Sequence, residues 1–232
     1  MLTLYHSPTT RSFRIKWLLE ELAIPYQQKL INFYNEERVS PEYLTINPMG
    51  SLPAMEDDGL VLTESGAIIN YILSRYGNGR FVHPASSCEA ALVDEWMYWS
   101  EGLFAVHQRI FWDHCAPPPG CIVDTVPRIG EEGKHQAIKY SILLEKALRD
   151  DGFVVGDSLT GADFMLSFPL FLANLSGWFE TRPRIRAYVE RFSSRPAFQT
   201  AIADTFAFLQ KMQEPAPASA PSSFRVFEAG VF

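Results

Sequence analysis

Hydroxyl and acidic side chains stand at two helix openings in this chain, with a proline-entered strand between them. Near the N-terminus, Ser7-Pro8-Thr9-Thr10-Arg11-Ser12-Phe13-Arg14 sets the hydroxyls of Ser7, Thr9 and Thr10 just ahead of a helical pattern. Hydroxyl donors beside the unpaired N–H groups of a helix start favour a negative charge placed against them. Farther on, Asn47-Pro48-Met49-Gly50-Ser51-Leu52-Pro53-Ala54-Met55 is followed by Leu60-Val61-Leu62-Thr63-Glu64-Ser65-Gly66-Ala67. Pro53 cannot donate to a ladder, so it belongs at a strand entrance or a bend, where a cis Leu52-Pro53 bond fits. Glu64 and Ser65 open the helical pattern Ala67-Ile68-Ile69-Tyr71-Ile72-Tyr76, leaving the N–H groups of residues 65 to 68 facing the preceding turn, a ready anion site. An extended peptide docks on the main-chain groups of a proline-entered edge strand as an added strand. Together these features predict a site for a small acidic peptide.

The elements that must hold this site follow from the spacing of apolar residues. Leu2-Thr3-Leu4-Tyr5 alternates as a half-buried strand does, and Arg11 to Leu22 carries Phe13, Trp17, Leu18 and Leu22 on one helical stripe that Ile24-Pro25 ends. Tyr26 to Ile31 forms a second strand, and the polar run Asn32 to Tyr43 forms a loop with a short helical turn. Asp57-Asp58-Gly59 between two apolar runs is a hairpin signal. The order strand, helix, strand, loop, strand, strand, helix runs to about Gly77, and a linker is expected over residues 77 to 86. From Cys88 the strands vanish. Leu92, Trp96, Trp99 and Leu103 mark a long helix to about Trp112; Asp113 to Pro127 interrupts; Ile138, Ile142, Leu144 and Leu148 resume the period. Thr160 and Asp163 form a capping box, stapled by Leu159 and Phe164, ahead of an apolar helix to Leu175 that Pro169 is expected to interrupt. Arg182-Pro183 and Arg195-Pro196 begin two more helices, reaching about Met212. The Pro/Ala/Ser-rich tail, residues 213 to 232, reads as flexible, yet it carries Phe224, Phe227 and Phe232.

Bulk properties narrow the function. The 232 residues carry a formal net charge of −7 and are 47% hydrophobic, which argues against nucleic acid or an anionic membrane as a main partner. Cys88, Cys115 and Cys121 have neither disulfide nor zinc spacing, so no metal is expected and a reducing compartment is the simpler reading. Without a signal-like N-terminus or an apolar stretch of membrane-spanning length, the chain reads as cytoplasmic and soluble.

The sequence NPMGSLPAM followed by LTESGAI resembles the glutathione-binding half of cytosolic glutathione S-transferases, and TRSFR is similar to the SRxFR form of fungal and bacterial members. The capping box at Thr160 resembles the same family, and the likeness covers roughly residues 1 to 212. It implies an α/β thioredoxin-like N-terminal domain over residues 1 to 77 and an all-α C-terminal domain over residues 87 to 212. It also implies glutathione as co-substrate, a two-fold dimer, and conjugation of a small apolar electrophile.

Such an enzyme must lower the glutathione thiol pKa, because the thiolate is the nucleophile. One hydroxyl hydrogen bond to a charged group contributes about 1.5 to 3 kcal/mol and a helix N-terminus about 0.3 to 1. At about 1.36 kcal/mol per pKa unit, together they shift the thiol by roughly one to three units. The family pattern favours Thr10 as the activating hydroxyl, then Thr9, with Ser7 and Tyr5 as lesser candidates; threonine here departs from the usual serine, cysteine or tyrosine. Leu52 (through its backbone), Pro53, Glu64 and Ser65 carry over as glutathione contacts, with Arg11, Arg38 and Asn47 as candidates for the glycyl end. Tyr98, Phe104, His107, Phe111 and Trp112 are the candidate electrophile pocket, since aromatic walls suit apolar ligands. Plainer roles stand beside each of these: helix capping for Thr9, Thr10, Glu64 and Ser65, solvated surface for the arginines and His107, and core packing for Trp96 and Trp99. Two further functions stay open, a glutathione-binding scaffold without turnover and a glutathione-dependent disulfide reductase or peroxidase; Cys115 and Cys121, in the Pro-rich stretch, are separate redox candidates with no neighbour that would lower a thiol pKa.

Overall fold

The computed structural model describes residues 1–33, 35–117 and 124–213, the side chains of 209–213 excepted. Cys121 and the tail phenylalanines lie outside the described residues.

Four short strands form one mixed sheet in the order β2-β1-β3-β4. β1 (Thr3–His6) is buried along its whole length and pairs in parallel with β2 (Gln27–Leu30) and antiparallel with β3 (Ala54–Asp57). β4 (Leu60–Leu62) closes the far edge through the hairpin at Asp58 and Gly59, both at positive φ. The β1 to β2 crossover is α1 (Ser12–Leu22), which ends on Ala23 in the left-handed region. A 3-10 turn (Glu36–Val39) and α2 (Pro41–Ile46) fill the polar run before β3, and α3 (Ser65–Tyr76) follows β4. This is a thioredoxin-like domain.

The rest of the described chain is helical. α4 (Cys88–Trp99) passes through a π-helical stretch, Ser100–Ala105, into α5 (Val106–Cys115), so the long helix expected from the aromatic spacing is present with one widened turn. α6 (Pro127–Ala147), α7 (Gly161–Leu175), α8 (Pro183–Ser193) and α9 (Pro196–Gln213) complete it.

α7 does not break at Pro169, contrary to the sequence expectation. Proline removes the N–H that the Met165 carbonyl would accept. The Ser100 hydroxyl replaces that donor at 3.0 Å, and Gln108 Nε2 donates to the Pro169 carbonyl at 2.8 Å. Two polar side chains, one from the π stretch and one from α5, therefore make proline tolerable in the core, a compensation that no local pattern displays.

The core is continuous across both halves. Every residue of α1 from Ser12 to Leu19 is buried, because the sheet covers one side and the helical half the other. Phe13 meets Phe168 and Phe198 at centroid distances of 5.6 and 4.9 Å, and Trp17 meets Phe164 at 4.5 Å. Aromatic pairs at such distances contribute about 0.5 to 1.5 kcal/mol beyond their burial.

Asp163 heads α7 as the capping box required. Its carboxylate accepts from the Thr160 N–H (2.7 Å), the Thr160 hydroxyl (2.9 Å), the Val154 N–H (3.2 Å) and the Tyr188 hydroxyl (2.5 Å). Asp163→Ala strands these buried donors, so denaturant unfolding is expected to show a loss of more than the ~1 kcal/mol of a surface cap. An unaltered unfolding midpoint would contradict this role.

Candidate functional site

The register of the sheet brings the three suspect segments to one end. Tyr5 of β1 pairs with Ala54 of β3, and the strands run antiparallel, so Ser7 to Thr10 leave β1 where Leu52 and Pro53 enter β3. β4 is antiparallel to β3, with Leu62 opposite Met55, so Glu64 and Ser65 emerge at that same end. The Leu52-Pro53 bond is cis. Asn47 holds the turn ahead of it: Nδ2 donates to the Ser51 carbonyl at 2.7 Å, and Oδ1 accepts from the Met49 N–H at 3.1 Å. Tyr43 Oη donates to the same Ser51 carbonyl at 2.6 Å. Gly50 has φ 58°, and a Cβ there would lie 2.7 Å from the Arg38 carbonyl oxygen, so the turn demands glycine.

The turn between β1 and α1 is a compact knot of hydroxyls. Thr10 is 8% exposed, and its Oγ1 lies 2.8 Å from the Ser7 carbonyl oxygen and 2.7 Å from Ser12 Oγ. Ser12 Oγ is 2.7 Å from His6 Nδ1, and Ser7 Oγ accepts from the Phe33 N–H at 3.2 Å. Thr9 is half-buried with φ 64°, a left-handed conformation that a β-branched residue adopts at a cost and that concentrates at functional sites. The N-cap of α1 is Arg11, which makes no side-chain capping bond; Thr10 Oγ1 accepts only a 3.3 Å bond from the Ser12 N–H. Capping by Thr10 is thus limited to that one long bond.

At the second helix opening Glu64 is exposed and makes no capping bond through its side chain. The Ser65 hydroxyl is turned inward, accepting from Arg14 Nη1 at 3.1 Å, so the helix start itself offers main-chain N–H groups. Arg14 is fully buried and pairs with Glu101 of the π stretch, and Arg11 Nε reaches the other oxygen of Glu101 at 2.9 Å. Burial alone pushes the Glu101 carboxyl up, but the charges of Arg14 and Arg11 outweigh it and hold the group below its usual value. Arg11, expected near the glycyl end of a bound peptide, is thus engaged across the two halves. Arg38 stacks over the Phe33 ring at 5.1 Å.

The expected electrophile residues are dispersed. Phe104 is 0% exposed and stacked between Trp99 (5.6 Å) and Phe179 (6.1 Å), which puts it in the core. Phe111 and Trp112 pack on Trp178 at 5.0 and 6.3 Å, and His107 packs on Tyr140 at 5.2 Å with Nδ1 2.6 Å from the Leu103 carbonyl oxygen. Tyr98 is 78% exposed. Trp99 is buried with Trp96 packed against it at 5.3 Å. What the long helix turns toward α1 and α3 is Met97, Ser100 and Glu101. Cys115 lies against the Pro127 carbonyl, and burial together with the Glu131 charge pushes its thiol up, away from thiolate chemistry.

Seven residues at or beneath the site went unrecognised as functional in the sequence: His6, Ser12, Arg14, Lys16, Ser100, Glu101 and Asp204. A signal existed for one pair, since Arg14 and Lys16 interrupt the apolar run Phe13, Ile15, Trp17 and Leu18 on a helix with no solvent side. Among the described residues no group of three or more His, Cys, Asp or Glu side chains is placed to hold a metal ion, and no helix is long and apolar enough to cross a membrane.

Two family descriptions match the chain: "Glutathione S-transferase, N-terminal domain" over residues 1–74 and "Glutathione S-transferase, C-terminal domain" over residues 138–191. Glutathione S-transferase 3 of Schizosaccharomyces pombe is 27% identical over 211 residues, covering 87% of this chain and 86% of the relative. A glutathione S-transferase crystal structure from Actinobacillus pleuropneumoniae is 29% identical with a TM-score of 0.70, covering 89% of this chain and 93% of that one. A glutathione transferase of Phanerochaete chrysosporium, solved with oxidized glutathione, has a TM-score of 0.80 at 20% identity, covering 90% and 96%, and bears on the fold alone.

Asp204 of α9 supplies a pH test of this architecture. Burial pushes its carboxyl up, but hydrogen bonds from His6 and Lys16 prevail and draw it from 3.8 down to about 2. The folded chain binds that proton less readily than the unfolded one, so the contribution is complete above 3.8 and is lost as pH falls to about 2. In denaturant unfolding at a series of pH values, Asp204→Asn is expected to be less stable than wild type at neutral pH. The difference should shrink as pH falls through that window; a pH-independent difference would contradict the ionised state.

Proposed function

We propose, from the premise that this chain belongs to the glutathione S-transferase family, that it binds glutathione and ionises its thiol for addition to a small apolar electrophile. The observation that carries this reading is the convergence, at one end of the sheet, of the cis Leu52-Pro53 entrance, the α3 opening at Glu64 and Ser65, and the hydroxyl turn Ser7 to Thr10. An extended tripeptide laid along this margin pairs its cysteinyl main chain with Leu52. Its γ-glutamyl amine meets Glu64, and its γ-glutamyl carboxylate meets the N–H groups at Ser65. Arg38 is the candidate for the glycyl carboxylate; Arg11 reaches it only by leaving Glu101.

The sulfur then lies over the β1 to α1 turn, with Thr10 as the activating hydroxyl and Thr9 and Ser7 beside it. Thr10 Oγ1 has one hydrogen and two inward acceptors, so donation to a thiolate means turning that hydrogen outward. The electrophile meets the sulfur in the gap between this turn and the long helix. Tyr98, His107, Phe111 and Trp112 of that helix are the proposed electrophile contacts, and Phe104 supports it from the core. Pairing as a two-fold homodimer, a cytoplasmic location and a detoxifying role belong to this reading as family expectations.

One observation favours a second reading, glutathione binding without turnover: the Thr10 hydroxyl is already bonded inside its turn. Redox exchange draws less support, because Ser7 to Arg14 contains no cysteine.

Thr10→Ala separates these readings. It is expected to raise the bound thiol's pKa by about one to two units and to leave glutathione affinity by calorimetry little changed. The loss of conjugation rate toward a model electrophile should be largest at low pH. A pH–rate profile identical to wild type would remove Thr10 from this role. Retention of glutathione by the wild type with no conjugation of any model electrophile would favour the binding module.

A further inference from the structure

Beneath the turn runs a file of polar groups that thiol binding alone leaves without a task. Thr10 Oγ1 is 2.7 Å from Ser12 Oγ, Ser12 Oγ is 2.7 Å from His6 Nδ1, and His6 Nε2 is 3.0 Å from Asp204 Oδ2. Ser12 and His6 are fully buried, so no solvent competes for these bonds. Lys16 Nζ closes the far end on the same Asp204 oxygen.

Chemistry sets the direction of the hydrogens. Asp204, with its carboxyl drawn down to about 2, is ionised at neutral pH and can only accept, so His6 Nε2 carries a hydrogen. Burial draws the imidazole below its usual value in spite of Asp204, so the ring is neutral and Nδ1 is bare. Ser12 donates to Nδ1, and its oxygen faces Thr10, whose single hydrogen has two acceptors, the Ser7 carbonyl at 2.8 Å and Ser12 Oγ at 2.7 Å; the file uses the second. The file therefore points from the turn inward to a base that is empty.

Resting on the placement of the glutathione thiol against Thr10, we propose that Thr10, Ser12 and His6 form a proton relay that ionises this thiol. His6 is the positioning residue where the proton comes to rest, and Asp204 is its counter-charge. The S–H bond breaks as its proton passes to Thr10 Oγ1; the hydrogen Thr10 held passes to Ser12 Oγ; the hydrogen Ser12 held passes to His6 Nδ1. Three bonds to hydrogen break, three form, and no electrons change hands. The products are a thiolate and an imidazolium whose Nε2–H remains on Asp204. Both hydroxyls end reversed, so Ser12 now donates to Thr10 and Thr10 donates to the thiolate. The relay itself turns the Thr10 hydrogen outward, removing the obstacle posed by its inward bonds.

The charged groups acting on the ring are Asp204 from α9, which favours the imidazolium, and Lys16 from α1, which opposes it. The residue that follows β2 contributes a neutral contact, the Ile31 N–H donating to the His6 carbonyl at 2.9 Å. A base confined to this file carries no charge until a thiol arrives, which suits an acceptor that must be vacant at neutral pH.

The test is a pH titration of thiolate ultraviolet absorbance for glutathione bound to full-length wild type, His6→Gln, Ser12→Ala, the double variant and Thr10→Ala. His6→Gln and Ser12→Ala are each expected to raise the bound thiol's apparent pKa by about one unit, leaving about tenfold less thiolate below it. The double variant should shift no further than either single, because both interrupt one file. If both singles titrate with the wild type while Thr10→Ala shifts, the relay is wrong and Thr10 keeps its role. If Thr10→Ala does not shift either, or the wild type binds no glutathione, the thiol placement itself falls and takes the relay with it. Should His6→Gln fail to fold, Ser12→Ala decides alone, since it leaves the His6–Asp204 pair in place.

Discussion

A charged helix with no solvent face is the constraint on which this structure rests. α1 buries Arg14 and Lys16 together with Phe13, Ile15 and Trp17, and neither cation finds its partner nearby in sequence. Arg14 is answered by Ser65, Ser100 and Glu101, and Lys16 by Asp204. A buried ion left without its partner costs roughly 3 to 5 kcal/mol, so α1 is stable only where α3, the π stretch and α9 all close on it. The same packing positions chemistry. Glu101 is drawn to α1 by two arginines, and the turn ahead of α1 is locked to α9 through His6.

The sequence disclosed those parts of the molecule in which local physics decides. The proline at the entrance to β3, the hairpin glycine at residue 59, the capping box at Thr160 and Asp163, and the apolar period of α1 each obey a rule that spans a few residues, and each is present. Where a distant partner decides, local reading fails. Pro169 looks like a helix breaker until Ser100 and Gln108 are brought against it by a different helix. Phe104 looks like a pocket wall until Trp99 and Phe179 close on both sides of its ring. Arg11 looks like a surface cation until Glu101 arrives from ninety residues later, the difference between positions 101 and 11.

The site divides along the same line. The convergence of the segments carrying Leu52, Pro53, Glu64, Ser65 and the threonines could be anticipated, because a helix opening and a proline-bent strand are sequence-local devices. His6 was not, because a histidine at a strand end acquires meaning only from what covers it. Asp204 lies 198 positions away from it, on the helix that Arg195-Pro196 begins. The hydroxyl turn is therefore the outer end of a buried assembly that reaches through α1 to the last described helix.

The most direct measurement is a crystal structure of the full chain grown with saturating glutathione. The tripeptide should lie along Leu52 and Pro53, with its γ-glutamyl end at Glu64 and Ser65 and its sulfur in hydrogen-bond reach of Thr10 Oγ1. An empty margin, or a tripeptide seated elsewhere with its sulfur away from this turn, would contradict the assignment.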